Sequence, residues 1–263
     1  MPPLVFFGSS AYSIPVLQTL LDHHLDLAVV TTPDQPAGRH LQLTPNPLKK
    51  FALEKGLTVA TSPLTPLQDF GEGNQRGEVV GLVAAYGKII PQSVLDKFNS
   101  QIYNIHPSLL PKYRGPSPLQ QQILDGLTTT GVTIIQLDAQ MDHGPIVARS
   151  EEPLLPTDTP ETLGKRLFIK GAELFINLVG HLSLGELGKL EIQDDSAATY
   201  TKKLTRENGF VPYPEFQTQI QHPSPEFSRK FRAYFPWPGL WSTDPAGTRL
   251  KLTSLHPLRL SHN

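Results

Sequence analysis

The chain has 263 residues, of which 38% are hydrophobic and 18% charged, a composition typical of a folded protein with one large domain and room for a smaller one. It contains no cysteine, which excludes a disulfide framework, a thiolate metal site and a cysteine nucleophile. The 23 basic and 24 acidic side chains give a formal net charge of −1, so a nucleic-acid partner would need a local basic patch.

The first half of the sequence alternates short apolar runs with amphipathic stretches. Apolar Leu4–Phe7 precedes the turn Gly8-Ser9-Ser10 and a helix, and Leu27–Thr32 follows as the next strand. The same alternation continues as helix, strand, strand, helix and strand at Leu48–Lys55, Leu57–Ala60, Val79–Ala84, Gln92–Phe98 and Ile102–Ile105. Because these strands are continuously apolar, we expect an α/β fold in which helices cover both faces of a Rossmann-like, doubly wound, mostly parallel sheet.

The second half predicts a further strand at Val132–Leu137 and a long helix over Thr159–Leu182, which begins with capping residues and a proline. Composition then changes, since residues 207–263 hold eight of the 26 prolines and more basic than acidic side chains. The sequence therefore predicts one domain over residues 1–206. We expect residues 207–263 to form a linker, at Phe210–Pro225, and a small, incomplete β-rich domain.

Two polar side chains stand at the end of the predicted strand Ile102–Ile105. Asn104 and His106 are two residues apart, so on a strand they project from the same face. Open parallel sheets bind their ligands at the carboxyl ends of the strands. A histidine supplies a proton acceptor near neutral pH, and an asparagine supplies an uncharged donor for an oxyanion. Together they favour acyl transfer.

A third group that orients the imidazole is expected in the segment after Val132–Leu137. Asp142 stands in a turn next to Gly144 and Pro145, and Asp138 is the alternative. An aspartate in such a turn is by itself more often a turn former, so the residue pattern leaves the choice open. The histidines have no metal-ligand spacing, and we expect no metal.

Two motifs resemble the signatures of the formyltransferases that use 10-formyltetrahydrofolate: Asn104–Gly115, which reads N-x-H-P-S-L-L-P-K-Y-R-G, and Gly131–Pro145. Further segments are similar to the methionyl-tRNA formyltransferase branch of that superfamily, namely Phe6–Ser10, Val30–Arg39, Ala85–Pro91 and Phe231–Gly239. The resemblance covers nearly the whole chain. It implies transfer of the formyl group of 10-formyltetrahydrofolate to the amino group of methionyl initiator tRNA, for translation initiation.

The resemblance also implies site residues. Asn104, His106 and Asp142 match the catalytic asparagine, histidine and aspartate of the family, and residues 1–206 match its catalytic domain. The residues that match its folate-binding turn and pterin-side loop are Ser108, Leu109, Leu110, Pro111, Ala85, Tyr86 and Gly87.

The loop Asp34–Arg39 matches the family's contact with the acceptor arm of initiator tRNA, with Arg39 as its main cation. Several prolines stiffen this part of the chain, and the basic side chains of Arg39, His40, Lys49 and Lys50 form a cluster that suits phosphates. Initiator methionyl-tRNA and the folate co-substrate are therefore the expected partners.

The sequence departs from the family pattern in four places, one of them the linker, where Asn208–Pro214 lacks the usual acidic-aromatic junction. Ser9-Ser10 stands where the family usually has Thr-Pro, and His143 stands where it has threonine. Only the opening of the family's basic, barrel-like C-terminal domain is matched, through Phe231–Leu258. Because phosphate contacts supply most nonspecific affinity for nucleic acid, we expect weakened binding of tRNA with a flatter salt dependence.

Two alternatives stay open. A sugar-nucleotide N-formyltransferase would share the three catalytic residues, and a non-catalytic folate-binding or tRNA-binding relic would share the fold. A dinucleotide oxidoreductase is disfavoured because Gly8-Ser9-Ser10-Ala11 lacks the three-glycine spacing of a pyrophosphate site. The apolar stretches Val79–Tyr86 and Leu174–Leu184 are too short to cross a bilayer, so we expect a cytoplasmic protein without a membrane partner. We also expect a monomer.

Overall fold

The structure is a computed structural model that describes residues 2–37, 41–62, 79–182 and 190–255, without the side chains of residues 37, 181 and 182. The strands are β1 (Leu4–Phe7), β2 (Leu27–Val30), β3 (Gln35–Ala37), β4 (Gln42–Thr44), β5 (Val59–Ala60), β6 (Val80–Val83), β7 (Ile102–His106), β8 (Thr129–Gln136), β9 (Ile146–Pro153), β10 (Trp241–Thr243) and β11 (Arg249–Lys251). The α-helices are α1 (Ser13–Asp22), α2 (Pro47–Glu54), α3 (Gln92–Leu95), α4 (Pro118–Leu124), α5 (Pro160–Leu182), α6 (Tyr213–Gln221) and α7 (Pro225–Tyr234). Short 3₁₀ segments lie at Asp96–Phe98, Asp195–Ala197 and Arg206–Gly209.

A seven-stranded sheet in the order β5-β2-β1-β6-β7-β8-β9 forms the centre of the fold. Its first five strands run parallel to one another, whereas β8 is antiparallel to both β7 and β9. The predicted mostly parallel, Rossmann-like sheet is thus confirmed. The order reverses between β1 and β6, which is the place where such sheets open a crevice at their carboxyl ends.

Strand β1 shows why the sheet is buried on both faces. Leu4 and Phe6 belong to the large apolar cluster on one face, while Val5 and Phe7 belong to a second cluster on the other. Successive side chains of a strand point to opposite faces, so a strand that is apolar at every position needs cover on both. The large cluster is supplied by α1 and α5, among other elements.

The C-terminal part differs from the expected linker. Residues Tyr213–Gln221 form helix α6, and Phe216 is buried in the same apolar cluster as the sheet. Val211, Phe227 and Leu240 join that cluster as well. Proline at the first turn of α6 and α7 is compatible with a helix start, although proline-rich composition by itself suggested irregular chain. The division near residue 206 stays a prediction.

Several elements differ from the sequence-based expectation. Strand β9 was missed because it has few apolar residues, being the edge strand with alternate side chains exposed. Helix α4 and the hairpin β3–β4 were also missed, since neither has a long apolar period. The predicted helix Gln92–Phe98 divides into α3 and a 3₁₀ turn.

Two glycines of α5 have different surroundings, so the same substitution is expected to have opposite effects on stability at the two positions. A Cβ at Gly171 would clash with Ile105 of β7 and lie 3.0 Å from Val132 Cγ2, whereas a Cβ at Gly180 would meet no described atom within 4 Å. We expect Gly171→Ala to lower the free energy of unfolding by about 1–3 kcal/mol through overpacking. We expect Gly180→Ala to raise it by about 0.5–1 kcal/mol, because alanine favours helix. Urea unfolding measures both, and equal effects would contradict this packing.

Candidate active site

Strand β7 carries two of the predicted site residues past the end of its neighbour. Asn104 is level with Val83, the last residue of β6, so the chain beyond this point is free of that partner. Asn104 is half-buried and His106 is buried, with 4% of its surface exposed. The connection between β8 and β9 brings Asp142 against both of them.

The three predicted catalytic side chains meet at one oxygen atom. Oδ1 of Asp142 lies 3.4 Å from the Nδ2 donor of Asn104 and 3.5 Å from Nδ1 of His106. Oδ2 of the same carboxylate accepts a 2.8 Å hydrogen bond from the backbone N–H of Gly115. An amide, an imidazole and a carboxylate are therefore in contact. The pattern predicted the first two and the resemblance implied Asp142, whereas the additional donor Gly115 was not foreseen.

Asp142 is held in an uncommon backbone conformation. Its φ of +51° lies in the left-handed region, which non-glycine residues adopt only when their surroundings enforce it. Two residues further on, a Cβ at Gly144 would clash with the carbonyl oxygen of Gln136, so this turn packs closely on the end of β8. The position of the carboxylate is thus set by the backbone of the turn.

The partner of His106 indicates which nitrogen can take a proton. Nε2 of His106 lies 2.9 Å from the carbonyl oxygen of Tyr113. A carbonyl only accepts, so we assign the N–H of the neutral ring to Nε2. When the ring is neutral, the unprotonated nitrogen is therefore Nδ1, which faces Asp142. This arrangement leaves a proton acceptor on the side where Asn104 and Asp142 meet.

Tyr113 is fixed at both ends, which keeps its carbonyl in place. Its φ is +64°, its N–H donates to Thr199 Oγ1 at 2.8 Å, and its hydroxyl donates to Asp125 Oδ2 at 3.0 Å. Burial, together with the bond to Asp125, raises the pKa of Tyr113 to about 12. The hydroxyl therefore stays protonated and keeps donating at physiological pH.

The alternative acid, Asp138, takes a different partner. Its Oδ2 lies 2.6 Å from Nδ1 of His143, the residue next to Asp142. The structure therefore places Asp142 beside His106 and assigns Asp138 to a neighbouring ion pair.

The residues matched to the folate turn are mostly inside the protein. Ser108 and Leu110 are 0% and 1% exposed, while Leu109 and Pro111 are half-buried. Thr133 Oγ1 ties the turn to β8, since it donates to Ser108 O at 2.7 Å and accepts from Leu110 N at 3.1 Å. A ligand beside this turn would thus meet its backbone and the side chains of Leu109 and Pro111.

The loop after β6 is shaped by two serines. Ser9 Oγ donates to the carbonyl of Tyr86 at 2.6 Å, and Ser13 Oγ donates to the carbonyl of Ala84 at 2.7 Å. Ala85 and Gly87 have φ values of +49° and +74°. Ser9, where the sequence departs from the family pattern, therefore anchors this loop, and Ser13 is an anchor that sequence analysis missed.

A buried arginine joins the turn of Asp142 to a later part of the chain. Arg114 is 1% exposed, and its Nε and Nη2 donate to Gln193 Oε1 at 3.2 and 2.9 Å. Gln193 Nε2 donates in turn to the carbonyls of Asp142 and Gly144, at 2.9 and 2.7 Å. Arg114 also donates to Asp195 Oδ1 at 2.8 Å. The only sequence signal for this network was the arginine of the Asn104–Gly115 motif.

The predicted cations for tRNA divide into three cases. Arg39 lies outside the described residues. Lys49 is paired with Asp34, at 2.7 Å between Nζ and Oδ1, and Lys50 is exposed. A cavity of about 520 Å³ opens beside Tyr113, and its lining includes Lys112, Lys202 and Lys203. These three lysines were not predicted, because their sequence positions alone do not show that they share a cavity.

Within the described ranges, no three histidine, aspartate or glutamate side chains are grouped closely enough to hold a metal ion. Among the helices that the structure describes, none is long and apolar enough to span a membrane.

Comparison with known proteins identifies the family. The sequence profile of the family described as "Formyl transferase" matches residues 4–179. The methionyl-tRNA formyltransferase of Dehalococcoides mccartyi strain 195 is 37% identical over 260 residues, which cover 98% of this chain and 80% of the relative. That of Thermus thermophilus is 36% identical over 255 residues, which cover 97% and 80%. The chain therefore belongs to the formyl transferase family and, within it, to the methionyl-tRNA formyltransferases.

The fold is shared with more distant solved structures. The N-formyltransferase of Helicobacter canadensis, solved in complex with folinic acid and dTDP-3-aminofucose, superposes with a TM-score of 0.66 at 19% identity. The match covers 93% of this chain and 85% of that one. At this identity the likeness concerns the fold.

Gln193 offers a test of the network behind Asp142. Gln193→Ala removes the acceptor of Arg114 and the donor to two carbonyls, so buried polar groups lose their partners. We expect the free energy of unfolding to fall by about 1–3 kcal/mol in urea denaturation. Ile192→Ala is the matched control, since the neighbouring side chain is 78% exposed and its removal is expected to change stability by less than about 0.5 kcal/mol. Similar values for both variants would contradict the network.

Proposed function

We propose that this protein transfers the formyl group of 10-formyltetrahydrofolate to the α-amine of methionyl initiator tRNA, a reaction that serves translation initiation. The observation that carries the proposal is the contact of Asn104, His106 and Asp142 within 3.5 Å where β7 extends past β6. Relatives at 36–37% identity over nearly the full chain, named methionyl-tRNA formyltransferase, support the same acceptor.

In the proposed mechanism each side chain has one task. The amine attacks the formyl carbon, and the Nδ2–H of Asn104 donates to the oxyanion that forms. His106 accepts the proton of the amine at Nδ1, while its Nε2–H stays bound to the Tyr113 carbonyl. The carboxylate of Asp142, 3.5 Å from Nδ1, stabilises the resulting imidazolium. His106 then returns the proton to the departing nitrogen of tetrahydrofolate as the bond between that nitrogen and the formyl carbon breaks.

We place the folate between the loop after β6 and the turn at 108–111. Gly87 is exposed and Ala85 half-buried, so this loop presents backbone groups with little side chain over them. The half-buried side chains of Leu109, Pro111 and Leu137 supply apolar surface next to it. Backbone donors and acceptors beside apolar side chains suit a flat, polar-edged ring such as a pterin.

We place the acceptor end of the tRNA along the cavity beside Tyr113. Lys112, Lys202 and Lys203 line it, and exposed lysines bind phosphate oxygens. Arg39 and Lys50 remain proposed contacts for the acceptor stem. Lys49 is a weaker candidate, since Asp34 already neutralises its ammonium. The cytoplasmic location and the monomeric state stay predictions.

Comparison of acceptors tests the proposal against a sugar-nucleotide N-formyltransferase. The purified protein is given 10-formyltetrahydrofolate with either methionyl initiator tRNA or an amino-sugar nucleotide, and formylated product is measured. Turnover of the tRNA alone supports the proposal. Turnover of the amino sugar alone would replace it, and binding of tRNA without turnover with either acceptor would favour the non-catalytic alternative.

Substitution of Asn104 or Asp142 is expected to lower kcat by a defined amount. Asn104→Ala removes an oxyanion donor, and Asp142→Asn removes the charge beside His106, so we expect kcat to fall by about 100- to 1000-fold in each. The matched control Asp22→Asn, at the exposed end of α1, is expected to retain kcat. Circular dichroism verifies folding, and near-normal turnover of either folded site variant would contradict the assignment.

Removal of two lysines tests the tRNA path. The double substitution Lys202→Ala and Lys203→Ala is expected to raise KM for the tRNA and leave KM for the folate unchanged. The slope of log KM against log salt should flatten by about 0.7 for each phosphate that the two lysines neutralise in the wild type. Lys97→Ala, an exposed lysine outside the cavity lining, is the control. An unchanged KM and slope in the double variant would place the acceptor end elsewhere.

A further inference from the structure

His143 lies between two carboxylates. Its Nδ1 is 2.6 Å from Oδ2 of Asp138, and its Nε2 is 3.4 Å from Oδ2 of Asp195. A neutral imidazole has one donor and one acceptor nitrogen, whereas both nitrogens of an imidazolium donate. Because both nitrogens of His143 face acceptors, the geometry favours the charged form.

The contacts of His143 complete a closed ring of contacts and chain neighbours that includes Asp142. Asp195 uses its other oxygen to accept from Arg114 at 2.8 Å, and Arg114 is followed in the chain by Gly115. Gly115 donates to Asp142 at 2.8 Å, and Asp142 is followed by His143. We call these five residues the carboxylate ring. It contains two carboxylates, one guanidinium and one imidazole, and it holds the turn of Asp142 against the 3₁₀ segment Asp195–Ala197.

We propose that the imidazolium of His143 is a positioning residue that fixes the carboxylate of Asp142 for catalysis, and that its deprotonation loosens this carboxylate. The proposal rests on the proposed function, since Asp142 is there the partner of His106. His143 itself touches no group that we assign to the chemistry other than its chain neighbour. Its role is to balance the charges of Asp138 and Asp195 and thereby keep the ring closed.

The charged groups around His143 set the direction of its pH dependence. The hydrogen bond to Asp138 raises the pKa of His143 above its ordinary 6.5, burial lowers it, the charges of Asp138 and Asp195 raise it, and that of Arg114 lowers it, with a net increase. Hydrogen bonding to Arg114 lowers the pKa of Asp195, so that group stays ionised. The ion pairs of His143 with Asp138 and Asp195 are therefore present while His143 is charged. They are lost as pH rises through the raised pKa of His143.

The experiment uses the full chain and His143→Gln, which keeps an amide donor toward Asp138 but carries no charge. NMR titration of the imidazole resonances, assigned by their loss in this variant, is expected to give a pKa above 6.5. Asp138→Asn and Asp195→Asn should each lower that pKa. The amide resonance of Gly115, which donates to Asp142, should shift as His143 titrates and lose this shift in His143→Gln.

Kinetics supply the second readout. The kcat of the wild type is expected to fall about two- to fivefold as pH rises through the pKa of His143, and His143→Gln should show the lower value without that fall. KM for both substrates should stay unchanged. His222→Gln, an exposed histidine outside the ring, is the matched control and should keep the wild-type profile.

The outcomes separate the two proposals. The positioning role would be overturned by any of three results. These are a pKa of His143 at or below 6.5, a Gly115 amide resonance that does not shift as His143 titrates, and the same pH profile of kcat in His143→Gln and wild type. If the wild type fails to formylate tRNA, the proposed function fails. In that case the imidazole titration and the Gly115 amide still decide whether the ring positions Asp142.

Discussion

The carboxylate of Asp142 is the group on which the arrangement of the proposed catalytic residues depends. Asn104 and His106 approach one of its oxygens, and the N–H of Gly115 donates to the other. A hydrogen bond to a charged group contributes about 1.5–3 kcal/mol, and these partners share a single carboxylate. A small displacement of Asp142 would therefore disturb all of them at once. This dependence explains why so much of the surrounding chain is used to hold one turn.

Hydrogen bonds to buried side chains behind this turn hold it in place. Arg114 is almost fully buried, and a buried guanidinium is costly unless its donors are satisfied. Gln193, Asp195 and Tyr200 accept hydrogen bonds from it, and the side-chain amide of Gln193 donates to the carbonyl of Asp142. The segment around Gln193 is thereby bound to the turn of Asp142 by polar contacts. The stability of the fold and the position of the Asp142 carboxylate therefore depend on the same side chains.

The sheet supplies the rigid frame for these contacts. Apolar clusters on both faces fix β7, and Gly171 of α5 lies directly behind Ile105 on that strand. Because β6 ends at the level of Asn104, the remainder of β7 is left to carry functional side chains. The loop after β6 starts at the same edge of the sheet and is anchored there by Ser9 and Ser13, which follow β1 in the chain.

Much of this was accessible from the sequence. Continuous apolar strands determined a doubly wound sheet, since such strands need cover on both faces, and the two-residue spacing of Asn104 and His106 determined that they share a face. The period of a strand or helix is a local property, so it can be read without the fold. Edge strand β9 and helices α6 and α7 escaped prediction, because their burial depends on which element they meet.

The residue pattern left Asp142 and Asp138 open, and the family resemblance implied Asp142. Only the tertiary structure showed that Asp142 lies beside His106, because the two aspartates of the same turn differ in the direction in which the folded backbone presents them. The roles of Gly115 and Gln193, and the shared cavity of Lys112 and Lys203, likewise depend on segments that are far apart in sequence and adjacent in space. Residue type and local pattern determine which chemistry a side chain can perform. Long-range packing determines which partners it meets.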